Sequence, residues 1–324
     1  MEAKTVLVTG IGGNVGQGII RNILSTNYPI KLIGTNTLEF SAGNHMVDSF
    51  YQVPFAYEKE YIDKIIKIVA LEKVDLIIPS TDYEMNFLIA HQSKFSCKIA
   101  GGGPISTSIY LDKYKTALFH VQHNLSFVET CLPSEFKGQF NPAIAKPRKG
   151  RGSKGLIKNV QNANDLSDDE YLVQLQCEGK EITSAVYVSY LTGKIIGTIT
   201  LERTLENGAT TYCKVVKEFD DEINKIAQDI ANKTDVKGSF NIQSIVTNDG
   251  EINPFEINCR ISGTNSIRSH FGFPDVVFTI DELLYQKTIN TPVISEGSAY
   301  RYLADVIYPL GVEKGNNQDD FIVF

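Results

Sequence analysis

The sequence predicts a doubly wound parallel α/β domain followed by an α+β region of antiparallel hairpins. Apolar strand patterns alternate with amphipathic helix patterns in the first hundred residues, which is typical of a parallel sheet. Beyond residue 170, extended patterns meet at strong turn sequences, Asn207-Gly208 and Thr247-Asn248-Asp249-Gly250. With 324 residues, 42% of them hydrophobic, the chain is long enough for two or three domains.

The first region contains three predicted strands and three predicted helices. We expect strands at residues 4–8, 31–34 and 74–79, and helices following residue 16 and at 61–71 and 84–92. Gly10, Gly13 and Gly16 form a GxxGxxG turn after the first strand, the arrangement of NAD(P)-dependent epimerases and reductases. Asn36 stands where a carboxylate for the ribose is expected, and the YxxxK at residues 190–194 resembles a strand turn. We interpret the glycines as packing residues and keep NAD(P) binding as an alternative.

Composition excludes several functional classes. A net charge of −7 disfavours a general binder of nucleic acid or acidic membranes. The five cysteines are widely spaced and lack a CxxC, which indicates neither a disulfide framework nor a zinc site. No apolar run is long enough to cross a membrane, and no secretion signal precedes the first strand. We expect a cytoplasmic protein with no nucleic-acid or membrane partner.

A glycine-rich loop at residues 147–155 follows an apolar strand that ends at Lys146-Pro147. Gly150, Gly152 and Ser153 let backbone N–H groups approach phosphate oxygens, and Lys146 supplies a positive charge. The arrangement is strand-loop-strand and contains no GK[ST], so it differs from a P-loop. A nucleic-acid patch is the alternative, since five cations lie here, but no aromatic residue is interleaved with them.

The segment 238–262 is predicted to be a β-hairpin with one polar face. If Val246 pairs with Glu251, the two-residue period places Gln243 on the same face as Glu256 and Asn258. Their oxygen atoms are ligands of the kind Mg²⁺ prefers, and Arg260 offers a fork suited to phosphate. The alternative is an ordinary solvated hairpin face.

Four motifs in this order resemble the ATP-grasp superfamily, in particular the branch of the carbamoyl phosphate synthetase large subunit. They are Asp112-Lys113, Lys146 with its glycine-rich loop, the segment 174–181, and Gln243 with the segment 256–260. The resemblance spans nearly the whole chain. It implies a Rossmann-like pre-ATP-grasp domain at 1–105, an ATP-grasp N-lobe with a glycine-rich lid at 106–172, and a C-lobe with the metal site at 173–324.

The resemblance also implies roles for individual residues. Lys113 and Lys146 would hold the α and β phosphates of ATP, beneath a lid containing Gly150, Gly152 and Ser153. The hinge strand that meets adenine would consist of Gln174, Leu175 and Gln176, and Glu181 would bind the ribose. Mg²⁺, or Mn²⁺, would be held by Gln243, Glu256 and Asn258, and Arg260 would stabilise the transferring phosphoryl group.

The chain departs from the usual pattern at three positions. Gln174 replaces the hinge acid, Cys259 replaces a proline, and Gly263 stands where synthetases carry another arginine. Arg203 and Arg268 are candidates to supply that arginine from elsewhere in the fold, and we take Arg203 as the second candidate catalytic residue.

These resemblances predict an ATP- and Mg²⁺-dependent carboxylate–amine ligase that acts through an acyl phosphate and releases ADP. Its partners would be a small-molecule acid and a small-molecule amine, and a homodimer is compatible with the superfamily. Three alternatives remain open: a half-enzyme that forms carbamoyl phosphate or carboxyphosphate with a partner, the NAD(P)-dependent epimerase or reductase, and an ATP-binding regulator without catalysis.

Overall fold

A computed structural model describes residues 2–150, 152, 154–308 and 322–323. The helices of this part of the chain are α1 (Asn14–Leu24), α2 (Tyr61–Glu72), α3 (Asp82–Ala90), α4 (Pro104–Leu111), α5 (Lys113–Gln122), α6 (Asp220–Lys233), α7 (Asn265–Arg268) and α8 (Asp275–Tyr285). The strands are β1 (Lys4–Val8), β2 (Ile30–Asn36), β3 (Ser49–Gln52), β4 (Leu76–Ile78), β5 (Lys98–Ile99), β6 (Thr130–Cys131), β7 (Ala143–Pro147), β8 (Ile157–Lys158), β9 (Tyr171–Leu175), β10 (Lys180–Val188), β11 (Ile195–Glu206), β12 (Ala209–Val216), β13 (Gly238–Val246), β14 (Ile252–Asn258), β15 (Ser298–Tyr300), β16 (Val306–Ile307) and β17 (Ile322–Val323).

The first sheet confirms the predicted doubly wound parallel domain. Its strands run in the order β3-β2-β1-β4-β5, and every pair is parallel. The last three residues of β1, the centre of β2 and all of β4 are buried, as expected for a sheet covered by helices on both faces. The short edge strands β3 and β5 were not predicted, because two to four residues give too little periodicity to recognise.

The middle of the chain forms a four-stranded antiparallel sheet in the order β6-β9-β7-β8. It is covered by a small core that includes Phe136, Phe140 and Val173. β9 is central and pairs with β7 from Ala143–Leu175 to Pro147–Tyr171, so the strand that carries Lys146 lies beside the predicted hinge strand.

The largest sheet has six antiparallel strands in the order β14-β13-β10-β11-β12-β15. Helix α6 packs on it through Ile223, Ala227 and Ile230, while Phe240 and Ile242 of β13 face the same core. The β11–β12 hairpin turns at Asn207-Gly208 as predicted, with both residues at positive φ.

The register of the β13–β14 hairpin differs from the prediction. Val246 pairs with Ile252, and Glu251 belongs to the turn. A bulge at Phe255 then shifts the pairing by one residue, so that Gln243 lies opposite Glu256. Without this bulge Gln243 would lie opposite Phe255. The predicted set of polar residues is therefore brought together, but through a different register from the one assumed.

The parallel domain is joined to the largest sheet through a shared core. Ile261, Val276 and Ile280 pack among residues of β1, β2 and α1. Asn22 of α1 donates to the Oδ1 of Asn265 at 3.1 Å. We retain the three-domain division as a proposal, with β9 crossing its second boundary. No helix in the described parts of the chain is long and apolar enough to cross a membrane.

Candidate functional site

A cavity of about 270 Å³ lies between the four-stranded sheet and the largest sheet. Its walls contain most of the residues predicted to bind ATP, namely Lys113, Lys146, Gly150, Gly152, Gln174, Leu175, Gln176 and Glu181, together with the metal candidate Glu256. The sequence did not point to several other wall residues, namely Val128, Ile144, Lys158, Ile245 and Phe255. Lys158 and Phe255 lie beside predicted motifs, while the aliphatic residues look like ordinary core positions in the sequence.

Lys113 reaches the cavity from the first turn of α5. Asp112 caps this helix by accepting from the backbone N–H groups of Tyr114 and Lys115, and it forms an ion pair with Arg148 at 2.8 Å. Burial raises the pKa of Asp112, but Arg148 and the backbone donors reverse this and hold it below the usual range. Lys113 Nζ lies 3.2 Å from the carbonyl oxygen of Gly150 and 3.5 Å from Glu256 Oε1. The helix cap thus fixes a cation beneath the glycine-rich loop.

Lys146 is the second buried cation and projects from β7. Its Nζ donates to the carbonyl of Phe255 at 3.2 Å and lies 5.1 Å from the centre of the Phe255 ring. Burial lowers the pKa of Lys146 to about 8, although the charge of Glu256 opposes the shift. The bulged residue Phe255 therefore holds the ammonium group of Lys146 through both its carbonyl and its ring.

The hinge strand presents amide groups at the other end of the cavity. Gln174 is buried, and its Nε2 donates to Thr130 Oγ1 at 2.9 Å. The Oε1 of Gln176 is also buried, and no described residue donates to it. A buried acceptor without a donor is unfavourable. This oxygen therefore fits an exocyclic amino group such as that of adenine, a role that the sequence assigned to Gln174.

A chain of polar contacts connects the ribose and metal candidates across the largest sheet. Arg203 donates to Glu181 Oε1 and, at 2.6 Å, to Gln243 Oε1. Gln243 in turn donates to Asn258 Oδ1 at 2.8 Å, and Asn258 Nδ2 lies 3.3 Å from Glu256 Oε1. The structure thus brings Arg203, the second catalytic candidate, into the site.

The residues expected to hold Mg²⁺ lie side by side, joined by hydrogen bonds from Gln243 to Asn258 and from Asn258 to Glu256. Burial raises the pKa of Glu256, but Lys113 and Lys146 outweigh this effect and hold the pKa below the usual range, so the side chain is a carboxylate. The donor set combines one carboxylate with two amide oxygens, and no group of three His, Cys, Asp or Glu side chains suited to a metal occurs in the described residues. Hard oxygen donors of this kind fit Mg²⁺.

Arg260 extends from the end of β14 towards the parallel domain. Its Nη2 forms an ion pair with Asp82 Oδ2 at 2.7 Å, and Asn258 Nδ2 lies 3.3 Å from Asp82 Oδ1. Asp82 was not predicted as a site residue. The available signal was its position just after the predicted strand 74–79, because the carboxyl ends of parallel strands are where ligands bind in such sheets.

Arg268 does not line the cavity. Arg268 was considered as a replacement for the missing arginine, which is wrong: it is fully buried and forms an ion pair with Asp275 at 2.6 Å. It also donates to the hydroxyl groups of Ser262 and Thr264, so it supports the segment after β14. Ser153, predicted to belong to the lid, lies outside the described residues.

Close packing explains several glycines at the first loop but not Gly13, whose added Cβ would have an ordinary contact at 3.6 Å. A Cβ added to Gly16 would lie 2.6 Å from the carbonyl oxygen of Gly10, and one added to Gly12 would lie 2.5 Å from the Asn36 side chain. A Cβ at Gly43 would lie 2.0 Å from the carbonyl oxygen of Ile11, so the following segment covers the same turn. These contacts support the packing interpretation of the GxxGxxG turn.

The fold and the site together define a class of protein, in which a Rossmann-like domain is followed by two lobes. Between the lobes lies a cavity of about 270 Å³ with two lysines and a set of oxygen donors beside it. Two family models match the sequence. Residues 110–264 match the ATP-grasp domain family, and residues 6–100 match the PylC-like N-terminal domain. The predicted resemblance to the ATP-grasp superfamily is confirmed by these two matches. The ATP-grasp match is consistent with the predicted enzyme class, an ADP-forming ATP-grasp ligase, and with the predicted cofactors ATP and Mg²⁺.

Solved structures share the fold at low sequence identity. The chain is similar to N5-carboxyaminoimidazole synthetase from Staphylococcus aureus complexed with ADP, with a TM-score of 0.72, 14% identity, and coverage of 95% of this chain and 83% of that chain. It is also similar to N5-carboxyaminoimidazole ribonucleotide synthetase from Thermotoga maritima, with a TM-score of 0.69, 17% identity, and coverage of 96% of this chain and 82% of that chain. Biotin carboxylase from Campylobacter jejuni is similar as well, with a TM-score of 0.70, 14% identity, and coverage of 91% of this chain and 74% of that chain. No curated protein matches the chain in sequence.

Proposed function

We propose that the protein is an ATP- and Mg²⁺-dependent carboxylate–amine ligase that forms an acyl phosphate and then an amide-type bond. The observation that carries this proposal is the contact between phosphate-binding and metal-binding candidates, in which Lys113 Nζ lies 3.5 Å from Glu256 Oε1. The terminal phosphates of a nucleotide bound in the cavity would therefore lie beside the metal donors. The enzymes named among its structural neighbours, carboxyaminoimidazole synthetases and biotin carboxylases, are consistent with carboxylate chemistry.

Each charged residue has a defined task in this proposal. Lys113 and Lys146 neutralise phosphate oxygens, and Arg260 supplies a fork for the group in transfer. Gln243, Glu256 and Asn258 would hold Mg²⁺, which supplies charge neutralisation and orientation of the phosphates. Arg203 keeps Gln243 oriented by donating to its Oε1, so its proposed role is exerted mainly through the metal donors.

The glycine-rich loop contacts the opposite lobe at Gly152. Gly152 lies against the Asn207-Gly208 turn so closely that a Cβ on Gly208 would be 2.6 Å from the Gly152 Cα. Gly152 also lines the cavity. We infer that the loop excludes water during the reaction, which protects a reactive acyl phosphate from hydrolysis.

We propose that the substrates are a small-molecule carboxylate and a small-molecule amine, and that the protein can form a homodimer.

The first experiment measures the melting temperature of the wild type in the presence of Mg-ATP, metal-free ATP, NAD⁺ or NADP⁺. A ligand at 100 times its Kd contributes about 2.7 kcal/mol, enough to raise Tm by a few degrees. We expect stabilisation by Mg-ATP in the wild type and much less in Glu256→Ala. Stabilisation by NAD⁺ or NADP⁺ alone would contradict the proposal.

Turnover distinguishes a ligase from an ATP-binding regulator. ADP release is measured across a panel of acids and amines, with hydroxylamine added to trap any acyl phosphate as a hydroxamate. We expect a hydroxamate with the correct acid, and we expect Glu256→Gln to lower its formation about 100-fold or more. Tight Mg-ATP binding with no acid-dependent ADP release anywhere in the panel would favour the regulator.

A further inference from the structure

Asp82 occupies the position in the parallel domain where ligands are expected. The sheet order reverses between β1 and β4, and Asp82 begins α3 directly after β4. Thr81 caps this helix by accepting from the backbone N–H of Glu84, which fixes the first turn. The carboxyl ends of strands at such a reversal form a crevice that binds ligands in open α/β sheets.

The carboxylate of Asp82 reaches from this crevice into the phosphoryl-transfer site. It accepts from Arg260 Nη2 at 2.7 Å and from Asn258 Nδ2 at 3.3 Å. The pair is mostly shielded, with the Arg260 and Asp82 side chains 13% and 21% exposed. One acidic side chain of the parallel domain is thus bonded to two residues of the metal and phosphate motif.

This ion pair competes with the role proposed for Arg260. Nη1 of Arg260 donates to the carbonyl of Ile261, Nη2 is taken by Asp82, and Nε is buried with no partner among the described residues. A guanidinium group neutralised by a carboxylate attracts phosphate less than a free one. Arg260 therefore becomes fully effective only when another cation takes its place at Asp82.

We propose that Asp82 binds the ammonium group of the amine co-substrate and thereby releases Arg260 towards the terminal phosphate of ATP. This inference rests on the proposed ligase function and identifies its second substrate site. The exchange makes the arrival of the amine a condition for full stabilisation of the phosphoryl group. Because the acyl phosphate then forms with the amine already bound, as an ammonium group that becomes the nucleophile once it loses a proton, less of it is lost to water.

The test uses isothermal titration of the full chain with the Mg²⁺ complexes of the β,γ-imido analogue of ATP and of ADP. Removing the charge in Asp82→Asn frees Arg260, so we expect about three- to tenfold tighter binding of the imido analogue. Binding of Mg-ADP, which lacks the terminal phosphate, should stay unchanged. Asp221→Asn is the matched control, because Asp221 also lies in the first turn of a helix, has an exposed side chain and does not line the cavity. Unchanged or weaker binding of the imido analogue by a folded Asp82→Asn would overturn the proposal.

A second measurement needs no variant. Methylammonium chloride is titrated into the wild type, with tetramethylammonium chloride at equal ionic strength as the control, since its methyl groups leave no N–H to donate. We expect methylammonium to tighten binding of the imido analogue and to have no such effect in Asp82→Asn. Equal responses to the two salts would overturn the proposal. If the wild type binds no imido analogue at all, the proposed ligase function itself fails.

Discussion

The two glycine-rich loops follow apolar strands and look alike in sequence, yet they differ in what surrounds them. At Gly16 an added Cβ would meet the backbone at 2.6 Å, whereas at Gly152 it would meet nothing within 4 Å. In the first loop, backbone atoms of the protein occupy the space beside Gly16. The second loop borders a cavity that contains two buried lysines. Glycine thus serves close packing at Gly16, whereas Gly152 has open space beside its Cα and a positive φ.

The largest expected effect concerns the cation beside the second loop. Replacing Lys146 with Gln removes a buried charge, and bonds to charged groups contribute about 1.5–3 kcal/mol, so Mg-ATP binding should weaken about 10- to 100-fold. Isothermal titration measures this change. Lys31→Gln, an exposed change in the parallel domain, is the control and should bind Mg-ATP as the wild type does. If the two variants lost similar amounts of Mg-ATP affinity, the loss would not be specific to Lys146, and phosphate binding beside the second loop would be contradicted.

Replacing Gly16 with Ala tests the packing role of the first loop. The new Cβ would collide with the carbonyl of Gly10, and such overpacking costs about 1–3 kcal/mol in the free energy of unfolding. Urea denaturation measures it. Gly13→Ala is a close control, since its Cβ would have an ordinary contact at 3.6 Å.

Gly152→Ala is the counterpart in the second loop. An added Cβ would meet no neighbour, but the positive φ at Gly152 disfavours Ala, so we expect a loss of stability of about 1 kcal/mol, at the low end of that for Gly16→Ala. The strained backbone should also impair closure of the loop and therefore ADP release. The comparison of the loops is contradicted if Gly16→Ala is harmless to folding and Gly152→Ala is not.

The smallest expected effect is a pH dependence of Mg-ATP affinity, which should arise from Lys146 beside the second loop and not from the first loop. Lys146 has a pKa lowered to about 8, so its charge is present at pH 7 and is lost as the pH rises through 8. Mg-ATP affinity should fall about threefold to tenfold between pH 7 and pH 9, and Lys146→Arg should flatten the profile.

The stability of the ligand-free protein should change in the opposite sense. Above pH 8 the folded state releases the Lys146 proton, while the unfolded chain keeps it up to about 10.5, so the Lys146 contribution to the free energy of unfolding increases across this range. Denaturation at several pH values, compared with Lys146→Arg, isolates this contribution. A profile that does not distinguish the two proteins would argue against a buried ammonium.

Much of the fold and site follows from local sequence, and the remainder depends on long-range contacts. The alternation of strands and helices is sufficient for the parallel sheet, and motif order is sufficient for Lys113, Lys146 and Glu256. Asp82 was missed because its partner Arg260 lies 178 residues further along the chain. Arg268 was misjudged because its buried partner Asp275 is identified only by tertiary packing. Gln176 was assigned to the hinge, but the sequence does not show how the backbone just beyond β9 orients its side-chain oxygen, which has no donor among the described residues.

The bulge at Phe255 divides the β13–β14 hairpin into two parts that can evolve separately. On the turn side, Val246 faces Ile252 and serves the core; beyond the bulge, Gln243 faces Glu256 in the site. An insertion or deletion at the turn can be absorbed before the bulge without changing which residues meet beyond it. The hairpin tip is therefore a natural place for a graft, a tag or a new binding loop, since the alignment of the metal donors is set on the other side of Phe255.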